Sequence, residues 1–578
     1  MTKILMTALL LTQVLPTGYW PVEKSQPIID KTQTITLSPD LSKLSDGERT
    51  AVAKLIEVGR IFQKLYEQQR HPEALSSFLA LEQLDKRTGS KPATQNLLLL
   101  YRLNQGPIAT TLENKREPFL PVEPTKPGKN VYPWGITKEA VEVRRAPELL
   151  DLRSVVHSQA NLKSDVDTLK KYPVLQLLHP KLLTQLTGVR PGVDFLYAVP
   201  YAVAYADDLM KAYGLLFEAA DAVEKDDEEF ARFLRNRARD LLSNDYESGD
   251  ASWVTGRFKN LNAQIGSYET YDDELFGVKT FFAFSLLLSR QQETTALRQA
   301  MKGIQALEDS LPYKNHKKVR EDIPVGVYDV VADFGQARGG NTATILPNES
   351  YLARRYGRTI LLRANIMREP NIFQATSKTF AAAVGEEQAK ALTPDGNFYR
   401  TLWHEVGHYL GVDRTADGRE LDEALQDNSN TMEEMKADLV SLFVADALHK
   451  QGYYTDAQLR SVYAGGILRV LQNNRPRRDQ PYNTMQLMQW NFFLENGLLS
   501  FDPATKTLRI NYEKYHDVVG KMLEKTLAVQ YAGDKAASDQ FIDQYTKWDD
   551  NLHGVIAANI RAQQRYRFRI FKYAALGE

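Results

Sequence analysis

The chain has 578 residues, of which 43% are hydrophobic and 25% charged, and its formal net charge is −1. That length exceeds one ordinary core and predicts two or more lobes, while the balanced charge excludes a global field for nucleic acid or an acidic membrane surface. Cysteine is absent, which excludes disulfides, thiolate metal ligands, cysteine nucleophiles and a lipidated cysteine, so any metal must use nitrogen and oxygen donors.

The N-terminal MTKILMTALLLTQVLPTGYW places Lys3 before an apolar run from Ile4 to Leu15. The run has the length of a signal-peptide core and is too short to span a bilayer. Thr7, Thr12 and Gln13 dilute it, and no clear Ala-x-Ala site follows. Residues 1–25 therefore read as a signal peptide or an unstructured segment. A periplasmic or secreted location is expected, with a cytoplasmic one as the alternative, and no later stretch predicts stable membrane insertion.

Ser45-Asp-Gly-Glu48 is a capping box opening a helix to about Gln69, with Ala51, Leu55, Ile61 and Leu65 as its apolar stripe. The proline-rich EPFLPVEPTKPGKNVYPWG (117–135) predicts an irregular connection. KDDEEFARFLRNRARDLL (225–242) predicts an amphipathic helix with a solvated charged face. Between 323 and 372 short β runs alternate with glycines. There, ADFGQARGGN (332–341) fits neither phosphate-loop spacing and reads as a turn between strands. Helix dominates from Asn397 onward. RYRFRIFKY (565–573) alternates with period two, which sets Tyr566, Phe568 and Ile570 on one face and arginines on a solvated other face.

TLWHEVGHYLG (401–411) carries the chemistry. On a helix, His404 and His408 share one face. They can offer two imidazoles to one ion, with Glu405 beside them as a carboxylate able to deprotonate a water. Leu402, Trp403, Val406 and Leu410 supply an apolar face, and Gly411 can stop the helix. Gly407 costs about 1 kcal/mol inside a helix, which points to a close neighbour there. A third ligand six residues after His408 would be Arg414, which cannot bind metal, and Asp413 is out of register. Further on, NTMEEMKADLVSLFVADALHK (430–450) predicts a helix that is apolar on most sides, with Glu434 and Asp438 on one stripe. Buried carboxylates need partners. A metal held by His404, His408 and Glu434 would provide one, with Asp438 and Glu433 orienting the imidazole N–H groups. The alternative is that Glu433 and Glu434 only complement the helix N-terminus.

HEVGH followed by EEMKAD resembles the paired signature of the dipeptidyl peptidase III family (peptidase family M49). Most members carry HExxGH. The shorter HExxH form is similar to the M49-like region fused to some plant Nudix hydrolases. IGSYETYDDELFGVKTFFAF (265–284), GQARGGNTATILPNESYLARRYG (335–357) and NVYPWGITKEAVE (130–142) resemble further family blocks. The likeness thus spans most of residues 40–500. It implies an α+β, predominantly α-helical fold of two lobes around a wide cleft. A mixed α/β lobe is expected over 26–395, discontinuous in chain, and a mainly helical zinc-binding lobe over 396–578.

The resemblance further implies one zinc per chain on His404, His408 and Glu434, Glu405 as general base, and Tyr271 stabilising the tetrahedral intermediate. Glu269 and Asn348 would hold the substrate amino terminus. The implied activity is zinc-dependent hydrolysis of short oligopeptides with release of N-terminal dipeptides, by a monomer or weak dimer. Two departures support an alternative, a zinc-containing peptide-binding protein with little turnover. Ile345 stands where the family pattern has a second asparagine, and no histidine lies near Tyr482-Asn483, where a family histidine assists the transition state.

Overall fold

The computed structural model describes residues 15–188, 195–320, 323–472 and 480–578. The N-terminal apolar run, apart from Leu15, lies outside them. Among the described residues no helix is long and apolar enough to cross a membrane. The architecture of the described residues is mainly helical, with five small sheets.

The first long helix, Asp46–Arg70, starts at the expected capping box: the Ser45 hydroxyl accepts from Glu48 N (3.0 Å), and the Glu48 carboxylate accepts from Ser45 N (2.9 Å). Its predicted stripe is buried. Glycine at 59 lets the helix settle on the central sheet, since a Cβ there would lie 2.2 Å from the Phe334 ring. The charged helix at 225–242 runs from Glu228 to Ser243, because Asp227 accepts from Phe230 N and caps it. Its charges are not all solvated, contrary to the sequence expectation. Arg237 and Asp240 are buried and paired at 3.2 Å, and Arg237 also bonds Asp250 and Tyr268.

The β runs form a five-stranded sheet in the order Leu261–Ser267, Phe282–Ser289, Val325–Gly335, Thr359–Arg363, Ala343–Leu346. All neighbours are antiparallel except the parallel pair Val325–Gly335 and Thr359–Arg363. Of residues 332–341, read as a turn, the first four belong to the Val325–Gly335 strand, and 336–342 make the connection to Ala343–Leu346. Period-two alternation sends Ile360 and Leu362 into one hydrophobic core and Leu361 into another. The sheet is thus the partition between two lobes. The first core also holds the Asp46–Arg70 and Ala206–Val223 helices. The second holds the helices Pro394–Gly407, Ser429–Lys450, Asp456–Val470, Pro481–Glu495 and Tyr515–Ala532.

The C-terminal strand, Phe568–Tyr573, returns to the first lobe and pairs in parallel with Thr32–Leu37, Thr34 opposite Ile570. Its alternation holds to Ile570 and then breaks. Phe571 on the arginine face is buried as well, packed against Gly340.

Candidate metal centre

The HEVGH segment ends the Pro394–Gly407 helix, with His408 in the cap position. The helix stops before Gly411, which turns the chain in a left-handed conformation (φ +78°). Leu402, Trp403, Val406 and Leu410 are buried as predicted. So is the close neighbour of Gly407: a Cβ there would lie 2.8 Å from the carbonyl oxygen of Ala437 and 3.0 Å from its Cα. Ala437 belongs to the Ser429–Lys450 helix, which carries EEMKAD. This contact brings the two motifs together.

His404, His408 and Glu434 offer donor atoms within 4.8 Å of one another. Glu434 Oε2 lies 3.3 Å from His404 Nε2 and 4.0 Å from His408 Nε2. Two ~2.1 Å bonds at a tetrahedral angle separate their donors by roughly 3.4 Å, so this set fits a zinc ion. The opposite ring nitrogens face carboxylates: His408 Nδ1 hydrogen-bonds Glu433 Oε1 at 2.9 Å, and His404 Nδ1 lies 2.7 Å from Asp438 Oδ1, close but outside hydrogen-bond geometry. Carboxylates at both Nδ1 atoms favour protons there and leave the Nε2 lone pairs facing Glu434. Glu434 Oε2 itself is buried without a hydrogen-bond partner, as expected of an atom that awaits a cation.

Electrostatics support the same assignment. Burial opposes ionisation of Asp438, yet Arg469, His404 and Arg400 hold its carboxyl far below the ordinary range. Its oxygens lie 3.0 Å from Arg400 Nη1 and 3.4 Å from Arg469 Nε. Glu433 is likewise held at about 2, because Lys436 (2.8 Å) and His408 outweigh burial. Glu434 is lowered by the two imidazoles against its burial. Without a metal, His404 rises to about 9, since Asp438 and Glu434 outweigh the burial that would lower it. The carboxylates thus recruit a proton where they could hold a divalent cation.

Glu405 is half-buried beside the ligands, and its charge is felt at His404 and Tyr482. Tyr482 was not foreseen. It stands near the position where a histidine was sought, and it brings its hydroxyl into hydrogen-bonding range of Glu434. Arg469 packs over its ring at 4.9 Å. The only sequence signal was its position.

Across the cleft, Asn348 Nδ2 donates to Glu269 Oε1 (3.2 Å) and to Tyr268 O (3.3 Å). Burial raises the Glu269 carboxyl. Tyr271 is 82% exposed, with its hydroxyl in hydrogen-bonding range of Glu269, and it feels the charge of Glu434. Glu269, Tyr271 and Asn348 therefore form one group facing the metal ligands. Ile345 lies in the Ala343–Leu346 strand opposite Ile360 and packs against the second core.

Residues 384–477 match the profile of a family described as zincin-like metallopeptidase. Nudix hydrolase 3 of Arabidopsis thaliana is 27% identical over 358 residues, 61% of this chain and 46% of that protein. The chain thus spans about half the length of this plant relative. The fold is similar to that of dipeptidyl peptidase III from Caldithrix abyssi, with a TM-score of 0.79 and 23% identity over 94% of this chain and 98% of the other. It is also similar to dipeptidyl-peptidase III from Corallococcus sp. strain EGB, with a TM-score of 0.72 and 22% identity over 97% and 98%. The expected two-lobed, mainly helical fold is therefore the one this chain has, with the His-His-Glu group on helices of the helical lobe.

Proposed function

We propose that this chain is a zinc-dependent metallopeptidase that hydrolyses short peptides and releases dipeptides from their amino termini. The observation that carries the reading is the buried, unpartnered Glu434 oxygen between two imidazole Nε2 atoms whose Nδ1 atoms face carboxylates. The zincin-like profile over the same residues supports it, as does the fold.

His404, His408 and Glu434 would hold one zinc ion. When bound, zinc polarises the scissile carbonyl and makes a water at the site more acidic. Glu405 takes the proton from that water and delivers it to the leaving amine. Tyr482 and Tyr271 supply hydroxyl donors for the developing oxyanion. Glu269, steadied by Asn348, accepts the substrate ammonium and so counts residues from the amino terminus.

The test combines metal analysis with turnover of a tetrapeptide panel, with and without a chelator. One zinc per chain, lost in Glu434→Ala, together with dipeptide products that vanish in Glu405→Gln at unchanged zinc content, is the expected result. Undiminished zinc in Glu434→Ala would overturn the ligand set. Ile345, an apolar half-buried side chain packed against the second core, favours a second reading: a zinc-containing peptide-binding protein with little turnover. Tight peptide binding without cleavage by the zinc-loaded chain would select it.

A further inference from the structure

A cavity of about 660 Å³ opens away from the metal centre, at the seam of the two lobes. One wall is the basic face of the C-terminal strand and its approach, where Arg565, Arg567 and Arg569 recur with period two. Lys31 flanks them, and Arg561 on the Val555–Gln563 helix faces them. Phe380, Leu468 and Leu471 of the second core form an apolar wall, and Leu112 closes one side. The arginine face is solvent-exposed, as the sequence pattern predicts, and it lines one side of this open cavity.

The charge has no ion-pair partner at the cavity wall, although the Glu369 carboxylate acts on Arg569 from nearby. Among the described residues no aspartate or glutamate lines the cavity, and none of its five cationic groups forms an ion pair. Arg567 bonds the Asn114 amide oxygen, and Arg565 lies over the Tyr566 ring at 5.0 Å. Arg569 reaches solvent, but the surrounding concave protein lowers its guanidinium from the ordinary value, with Glu369 opposing. Gln33, paired opposite Arg569, is buried, and its side-chain oxygen has no donor. Five like charges around one hollow repel each other, and low-dielectric walls focus their field inward. Guanidinium groups match phosphate oxygens in planar, paired geometry. The unpaired Gln33 oxygen suits a ligand hydroxyl.

We infer that this cavity is a binding site for a small phosphorylated organic molecule, its phosphate groups on the Arg565–Arg569 face and its less polar body against Phe380 and Leu471. The ligand would bridge the two lobes, since the arginines ride on a strand of the first and the apolar wall belongs to the second.

The experiment is calorimetric titration of the zinc-loaded full chain with inorganic pyrophosphate, ADP, adenosine and citrate, with zinc content checked afterwards. Pyrophosphate and ADP should bind, ADP more tightly, and adenosine should not. Arg565→Gln combined with Arg569→Gln should weaken ADP at least about tenfold, as should Thr379→Trp, which fills the cavity without changing charge. Both variants should keep the parent unfolding midpoint. Failure of both phosphate probes to bind at millimolar concentration overturns the inference. So does Thr379→Trp retaining full ADP affinity, which would mark diffuse surface charge, and citrate matching ADP would overturn the phosphate assignment.

Discussion

The Cβ position of Gly407 lies 2.8 Å from the carbonyl oxygen of Ala437, closer than real Cβ atoms approach. One residue beyond Gly407 is His408, and one beyond Ala437 is Asp438, the partner of His404. The spacing of the two helices at this point therefore fixes the distance between ligands that belong to different helices. In Gly407→Ala the gain in helix propensity of about 1 kcal/mol is opposed by overpacking of roughly 1–3 kcal/mol. Zinc affinity should fall at least about tenfold, with thermal stability little changed or lowered. Competition against a chromogenic chelator measures it. Unaltered affinity would mean that helix spacing does not set the site.

Removal of the metal should expose a pH optimum of stability. Glu433 is depressed from 4.5 to about 2, so its contribution is complete above about 4.5 and is lost as pH falls toward 2. Asp438, depressed further, steepens the same limb. His404 is raised from 6.5 to about 9, so its contribution is complete below 6.5 and is lost as pH rises through 9. The metal-free protein should be most stable between about pH 4.5 and 6.5. Unfolding midpoints of chelator-treated protein across pH 3–10 measure this, and His404→Gln should flatten the alkaline limb. A parent profile already flat between 6.5 and 9 would contradict the charge assignment.

Tyr482→Phe removes a hydroxyl near Glu434 while leaving the ring under Arg469. Zinc content should persist. The turnover number should drop about 10²-fold, the lower range for losing a preorganised oxyanion donor. Full turnover in this variant would reduce Tyr482 to a packing partner of Arg469.

Specificity for a free amino terminus should be modest. Glu269 and Asn348 are joined, but Ile345 adds no polar contact. A lost hydrogen bond to a charged group is worth roughly 1.5–3 kcal/mol, so an N-acetylated peptide should be cleaved less well by a limited factor. The ratio of kcat/KM for free and acetylated forms of one peptide measures it. A ratio above about a thousand, or roughly 4 kcal/mol, would show that the amino-terminal site does not need a second asparagine.

The grouping of His404, His408 and Glu434 was legible because its logic is local. Four-residue spacing puts His404 and His408 on one helix face, and a mostly apolar helix cannot hide Glu434 and Asp438 without partners. Gly407 was legible for the same reason, as an expensive residue in a helix. Arg400, Arg469 and Tyr482 were not, because they reach the site only once four helices pack. The burial of Arg237 and Asp240 escaped the amphipathic reading, since no pattern within 225–242 announces Asp250 and Tyr268 as their partners.

The parallel pairing of Thr32–Leu37 with Phe568–Tyr573 has a consequence for biosynthesis. A ribosome working at about 5–20 residues per second needs roughly half a minute to two minutes between making the first strand and the last. Throughout that interval the early strand lacks this neighbour, and such unpaired edges invite wrong association. Its outward positions, Thr34, Thr36 and the adjacent Lys31, are polar or charged, which suits a strand that must stay soluble while it waits. Closure of the first lobe is therefore a late event, after the Pro394–Gly407 and Ser429–Lys450 helices have been made.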